Sequence, residues 1–181
     1  MHRQSGFSLI EVLVAMVILI IGIIGVFNLH IIAKRSSFES FQQSQAAFLA
    51  SDIVNRMKLN ISQLALYSNA VVNGSLVKPE FSCDGVNADV CSNDQTGTWD
   101  LYSWQQLLRG STEQIDEQFV GGLAQATGCI QIINNNVSVA ITWHGLRDTG
   151  DSTANADAFV QGCGTSNDKR RFFLLETVIS L

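Results

Sequence analysis

Apolar side chains run almost unbroken from Phe7 to Phe27, and the one charge inside that run is Glu11. No residue from Val12 to Phe27 is charged and no proline precedes Pro79, so nothing forces a break in a helix there. Counted on through Ala33, tolerating Asn28 and His30, the segment reaches the roughly 30 Å of a bilayer core at about 1.5 Å per residue. A cleavable secretory signal has a shorter apolar region with a small-residue site after it. A soluble core helix, apolar on every face, would need a partner of the same character to pack against. The pattern predicts a membrane-spanning helix over 7–33.

After Ala33 the apolar residues thin to Phe38, Phe41, Phe48, Leu49, Ile53, Met57, Ile61 and Leu64. Steps of three, four and seven predict one buried helix face. A single helix from Phe7 to about Leu66 is expected, with 34–66 as its amphipathic continuation and 67–181 as a globular head. Gly22 and Gly25 mark either a bend or a close helix–helix approach. Between Tyr67 and Gly97 the chain is polar and turn-rich, with room for one short strand. Leu101, Trp104, Leu107 and Leu108 stand at helical spacing behind Asp100, which is expected to cap a short helix. Cys129–Ile133 and Val137–Trp143 flank Asn134-Asn135-Asn136 and read as a hairpin. Val137, Val139, Ile141 and Trp143 alternate onto one face. Arg171–Leu181 is β-rich and should complete an antiparallel sheet, and 145–162 is a long polar loop. The fold class is α+β.

Charge narrows the function. At 181 residues, 15% charged, with a net charge of -5, the chain lacks the basic face that tracking nucleic-acid phosphates requires. The tight basic cluster Lys169-Arg170-Arg171 precedes a strand and reads as a solvated edge. The four cysteines (Cys83, Cys91, Cys129, Cys163) include no C-x-x-C pair, and the three histidines are scattered, which argues against zinc. An even count in an oxidising compartment points to disulfides. Three pairings are possible; Cys83–Cys91 with Cys129–Cys163 is favoured, and four buried thiols are the alternative. Arg3 before the span is matched by Lys34 and Arg35 after it, so basic residues do not orient the helix. The cysteines do, by placing the head outside the cytoplasm.

Gly6-Phe7-Ser8-Leu9-Ile10-Glu11 resembles the class III signal of type IV prepilins: a short polar leader ending in glycine, then phenylalanine, then glutamate four residues on. In that family a prepilin peptidase in the membrane cuts after the glycine and methylates the new amine, while the apolar helix is retained. The resemblance implies a leader over 1–6, cleavage between Gly6 and Phe7, and N-methylation of Phe7. Glu11 would meet the Phe7 amine of a neighbouring subunit and set filament register. A carboxylate in the first turns of a helix is also favoured by the macrodipole.

The long helix backed by an antiparallel sheet with a cysteine-bounded loop is similar to the pilin fold. The tryptophan-bearing helix, the hairpin ending ITW and the CG…RRFFLLETVI segment look most like the PilV family of minor pilins, the type IV pilus modification proteins. The implied role is a minor pilin in pilus assembly, held in the bacterial inner membrane with a periplasmic head and then carried to the cell surface. Its partners would be the prepilin peptidase/N-methyltransferase, the major pilin and other minor pilins, the assembly platform and membrane lipid. A minor pseudopilin of a type II secretion system is the nearest alternative, and a membrane-tethered binding or enzymatic domain a further one. Two features depart from the family: the membrane helix has no proline, and Cys163 precedes a whole strand.

Catalytic signatures are missing. There is no G-x-S-x-G, H-E-x-x-H, P-loop or dinucleotide fingerprint, and His144 reads as a strand-end surface residue. DTGDSTANAD, with Asp148, Asp151 and Asp157, does not match an EF-hand loop. No cofactor, metal or enzymatic activity is expected.

Overall fold

The computed structural model describes residues 6, 8–84, 90–111, 113–116 and 118–180. The chain divides into two compact units, Met1–Ser40 and Phe41–Leu181; the second is called the head below. Helix α1 runs Leu9–Leu59. A 3-10 turn, Ile61–Gln63, and a short α2, Leu64–Tyr67, follow it. The helix thus stops at Leu59 rather than running on to Leu66. At Asn60 (φ -121°, ψ 44°) the backbone leaves the helical region. The buried Asn60 side chain donates to the Asn93 carbonyl at 2.7 Å and to the Tyr67 hydroxyl at 3.3 Å, which fixes the turn.

The buried face of α1 is Gln42, Ala46, Leu49, Ala50, Ile53, Val54 and Met57. Leu49, Ile53 and Met57 lie inside as expected, but Phe38, Phe41 and Phe48 are 45, 61 and 68% exposed. Ala46 and Ala50 take the positions nearest the core because small side chains let the helix backbone approach closely. Trp104 shows how close: its wholly buried indole N–H donates to the Leu49 carbonyl at 2.9 Å.

Trp104 sits on α3, Asn93–Arg109. This helix begins seven residues earlier than Asp100, which it was expected to use as a cap. Ser92 is the cap: its hydroxyl accepts the Gln95 N–H while the Gln95 side chain accepts the Ser92 N–H, a reciprocal capping box. Asp100 instead lies on the buried face of α3. It accepts from the Tyr67 hydroxyl at 2.6 Å and from Arg56 at 3.2 Å, and Arg56 also bonds Asp52 at 2.7 Å. Burial opposes the Arg56 charge, but the two carboxylates outweigh it and raise its pKa. Burial, reinforced by Asp100, pushes the Tyr67 phenol far above its ordinary value. Because the folded pKa is raised, this contribution is present at neutral pH and is lost as pH climbs past about 10, where the unfolded tyrosine ionises. Tyr67→Phe should cost about 1.5–3 kcal/mol, as for a hydrogen bond to a charged acceptor. Chemical denaturation at neutral pH checks this; an unchanged midpoint would remove Tyr67 from the list of pins joining α2 to α3.

The sheet is antiparallel, in the order β1-β4-β5-β6, from Val71–Val72, Thr127–Ile133, Asn136–His144 and Arg170–Val178. A separate two-stranded ribbon pairs β2, Gln114–Ile115, with β3, Gln118–Phe119. In the β4–β5 hairpin Ile133 faces Asn136, and the two residues between, Asn134 and Asn135, both have positive φ (48° and 68°). That is the two-residue turn whose twist matches the flanking strands, and asparagine tolerates it best after glycine. Val137, Val139, Ile141 and Trp143 are buried in one cluster with Leu49, Ile53, Met57 and Trp104. Gly128 on β4 makes room for Trp104: a Cβ there would lie 2.3 Å from the indole ring.

The opposite face of the sheet is covered as well. Ala140 and Thr142 are buried there, and Ala140 joins Cys129, Val160 and Cys163 in a second cluster flanked by Phe159, Phe172 and Leu174. The cover is the 145–169 segment, which contains one turn of helix, α4, Ala158–Gln161. Arg170, expected at a solvated edge, is 4% exposed. Its Nε contacts both Asp151 oxygens at 3.0 Å, and Nη2 lies 2.8 Å from Oδ2. Nη1 donates to the carbonyls of Gln161, Cys163 and Gly164. Arg171 donates to the carbonyls of Arg147 and Gly150 and to the Thr149 hydroxyl. The basic pair is therefore a clamp that ties the polar segment down across the sheet.

Candidate functional site

Among the described residues, Gly6 and Ser8 precede the helix α1. Gly6 is exposed and outside the helix, with no heavy atom near where a Cβ would be. A peptide bond beside an exposed glycine is one that a protease can reach. Phe7, the expected N-methylation site, and Met1–Ser5 of the expected leader lie outside the described residues. The Ser8 carbonyl accepts the N–H of Glu11 at 3.0 Å and of Val12 at 3.3 Å, and so starts the helix. Glu11 is exposed in the first turn, where unsatisfied backbone N–H groups favour a carboxylate.

The large apolar residues behind Glu11 have no cover from the chain itself. From Leu9 at 79% to Ile23 at 45%, those between Leu9 and Ile32 are all exposed. Surface of this extent is not stable in water, and the helix is long and apolar enough to cross a bilayer. Two apolar environments suit it: lipid, or other helices of the same kind. In either, Glu11 is the only charged side chain from Leu9 to Ile32 and so a handle for a specific electrostatic contact.

Residues 1–27 match the prokaryotic N-terminal methylation motif. The chain is pilin-like at this end, of the kind shared by type IV pilins and pseudopilins, and the motif implies processing by a prepilin peptidase. No curated protein and no solved structure matches the chain. The motif and the uncovered helix are consistent with anchoring in an inner membrane. The α+β architecture, a long N-terminal helix followed by a four-stranded antiparallel sheet, is pilin-like too.

In the head, Cys83 is bonded to Cys91 (Cα–Cα 5.7 Å) and Cys129 to Cys163 (5.9 Å). The second bond joins β4 to the segment that covers the back of the sheet, beside the carbonyls held by Arg170. The acidic loop residues diverge. Asp151 is saturated by Arg170, Thr153 and Ser166, and the Arg170 bonds hold its carboxyl well below the usual range. Asp148 faces Lys169 at 3.6 Å, while Asp157 occupies the N-cap position of α4. Among the described residues no three His, Cys, Asp or Glu side chains converge as metal ligands would. His144 Nε2 lies 2.6 Å from the Asn167 amide at the end of β5. These groups are engaged in structure, and a methylation-type N-terminus points to a structural rather than an enzymatic role.

Two features escaped sequence reasoning. The Ser92-x-x-Gln95 capping box is a visible N-terminal signal, overlooked because no apolar stripe begins until Trp99. The Arg170–Asp151 pair had no local signal at all, since its members lie 19 residues apart.

Proposed function

We propose that the chain is a minor pilin of the PilV type, which enters a type IV pilus at low copy and takes part in its assembly. Support comes from one observation above the rest: Glu11 stands in the first turn of an uncovered apolar helix, directly behind a glycine–phenylalanine cleavage pattern. A subunit built this way stores its assembly instructions in the helix. Removal of 1–6 frees a cationic amine at Phe7, and an amine and a carboxylate from adjacent chains attract strongly in an apolar surround. Lateral association of featureless apolar helices then acquires a preferred stagger, because other staggers leave both charges unpaired. The lipid-embedded helix becomes filament core, while the head chooses neighbours.

Intact mass of the membrane-extracted protein, with and without reductant, tests the processing. A chain beginning at N-methyl-Phe7 that gains four hydrogens on reduction is expected; retention of Met1–Gly6 in cells with an active prepilin peptidase would remove the pilin reading altogether. Deletion of the gene tests the system. Loss of surface pili with exoprotein release intact is expected, whereas the reverse outcome would make the chain a pseudopilin of type II secretion.

A further inference from the structure

β1 ends at Val72, and the chain turns through Asn73 and Gly74 before Gln105 fixes Leu76 by bonding both its N–H and its C=O at 2.8 Å. Asn73-Gly74 is the one Asn-Gly dipeptide in the sequence. Asn73 is exposed, and its side-chain Oδ1 accepts the Ser75 N–H at 3.3 Å, which polarises that carbonyl. Gly74 has φ +96° and no Cβ to screen its own nitrogen from Asn73 Cγ. A cation stands over the same spot. A Cβ at Gly74 would be 3.6 Å from Arg109 Nη1, and that nitrogen donates to the Gly74 carbonyl at 3.5 Å. The guanidinium also stacks over Phe119, 5.4 Å from the ring centre, which helps to keep it there.

We propose that Asn73 is a covalent modification site, at which the turn converts asparagine to aspartate and isoaspartate without an enzyme. Hydroxide removes the Gly74 N–H proton, and Arg109 stabilises the resulting anion. The Gly74 nitrogen attacks Asn73 Cγ, the new N–C bond forms, the Cγ–Nδ2 bond breaks, and ammonia departs with a proton from solvent. Water then opens the cyclic imide at one of its two carbonyls. One water is consumed and one ammonia released, with no change of oxidation state. Either product places a carboxylate beside Arg109. Isoaspartate also adds a methylene to the backbone between β1 and the Gln105 anchor, so the modified turn presents a different shape and one more negative charge.

Full-length protein in detergent, incubated at neutral and mildly alkaline pH and mapped by peptide mass, tests this. Residue 73 should acquire the mass of the acid at a rate proportional to hydroxide. Arg109→Ala, a change of an exposed side chain, should slow conversion about fivefold, equivalent to the ~1 kcal/mol between charges 4 Å apart in water. Asn73→Ser should show no conversion at the turn. An unchanged residue 73 in the folded chain, while the isolated 71–76 peptide converts, would overturn the proposal. So would equal rates in the parent and Arg109→Ala, because the turn would then contribute nothing beyond its sequence.

Discussion

Arg170→Met is expected to destabilise the head by about 3–5 kcal/mol, the usual result of breaking a buried ion pair from one side. Methionine replaces much of the volume but none of the donors. Asp151 keeps its Thr153 and Ser166 bonds yet loses the cation that faces both its oxygens, and the carbonyls of Gln161, Cys163 and Gly164 lose a shared donor. The melting temperature of the full chain in detergent should fall by roughly 10–20 °C. Asp151→Asn in the Arg170→Met background should add little, since the two act as one unit. The pH dependence has a definite sign. Arg170 depresses the Asp151 pKa in the folded state, so its contribution is complete above the ordinary aspartate range and drains away as pH falls below about 4. The gap between parent and Asp151→Asn should therefore narrow on acidification. A gap that holds constant from neutral to strongly acidic pH would show that the clamp works by packing alone.

Glu11→Ala should leave cleavage and membrane insertion intact and keep the chain out of filaments. On the proposed reading cleavage falls at the Gly6–Phe7 junction, which the substitution does not touch, and alanine makes the helix easier to insert. What is lost is the partner for a neighbouring amine. An unpaired charge among apolar helices costs ~2.5–3.5 kcal/mol, which corresponds to about a hundredfold less incorporation. Glu11→Asp, one methylene shorter, should recover part of it. The readout is the ratio of variant to parent in sheared filaments, normalised to the processed form in membranes. Parental levels of Glu11→Ala in filaments would end the register role.

The sequence announced its elements better than their surroundings. Strand alternation placed Val137, Val139, Ile141 and Trp143 on the buried face because a period of two leaves only two choices, and one of them is polar. On α1 the spacing identified a helix and part of its inner side (Leu49, Ile53 and Met57), but it also put Phe38, Phe41 and Phe48 there, and these are exposed. Aromatic residues dominate any hydrophobicity-weighted face, whereas the core selected Ala46 and Ala50 for closeness of approach. Neither half of the Arg170–Asp151 clamp is interpretable alone, because burial of a charge depends on what the fold brings to it. The N-terminal methylation motif was legible for the opposite reason: it lies within residues 1–27, a local stretch of chain, and no distant residue is needed to recognise it.

The main cluster of the head contains Ala46 near one end of the chain and Ile179 near the other. Synthesis delivers these residues at opposite times. Until Ile179 has emerged, the inner face of α1 can pack on α2, α3 and the β4–β5 hairpin, but beside a sheet that lacks its last strand. A chain stalled before β6 presents open strand edges and bare apolar surface, the state that chaperones and proteases are equipped to detect.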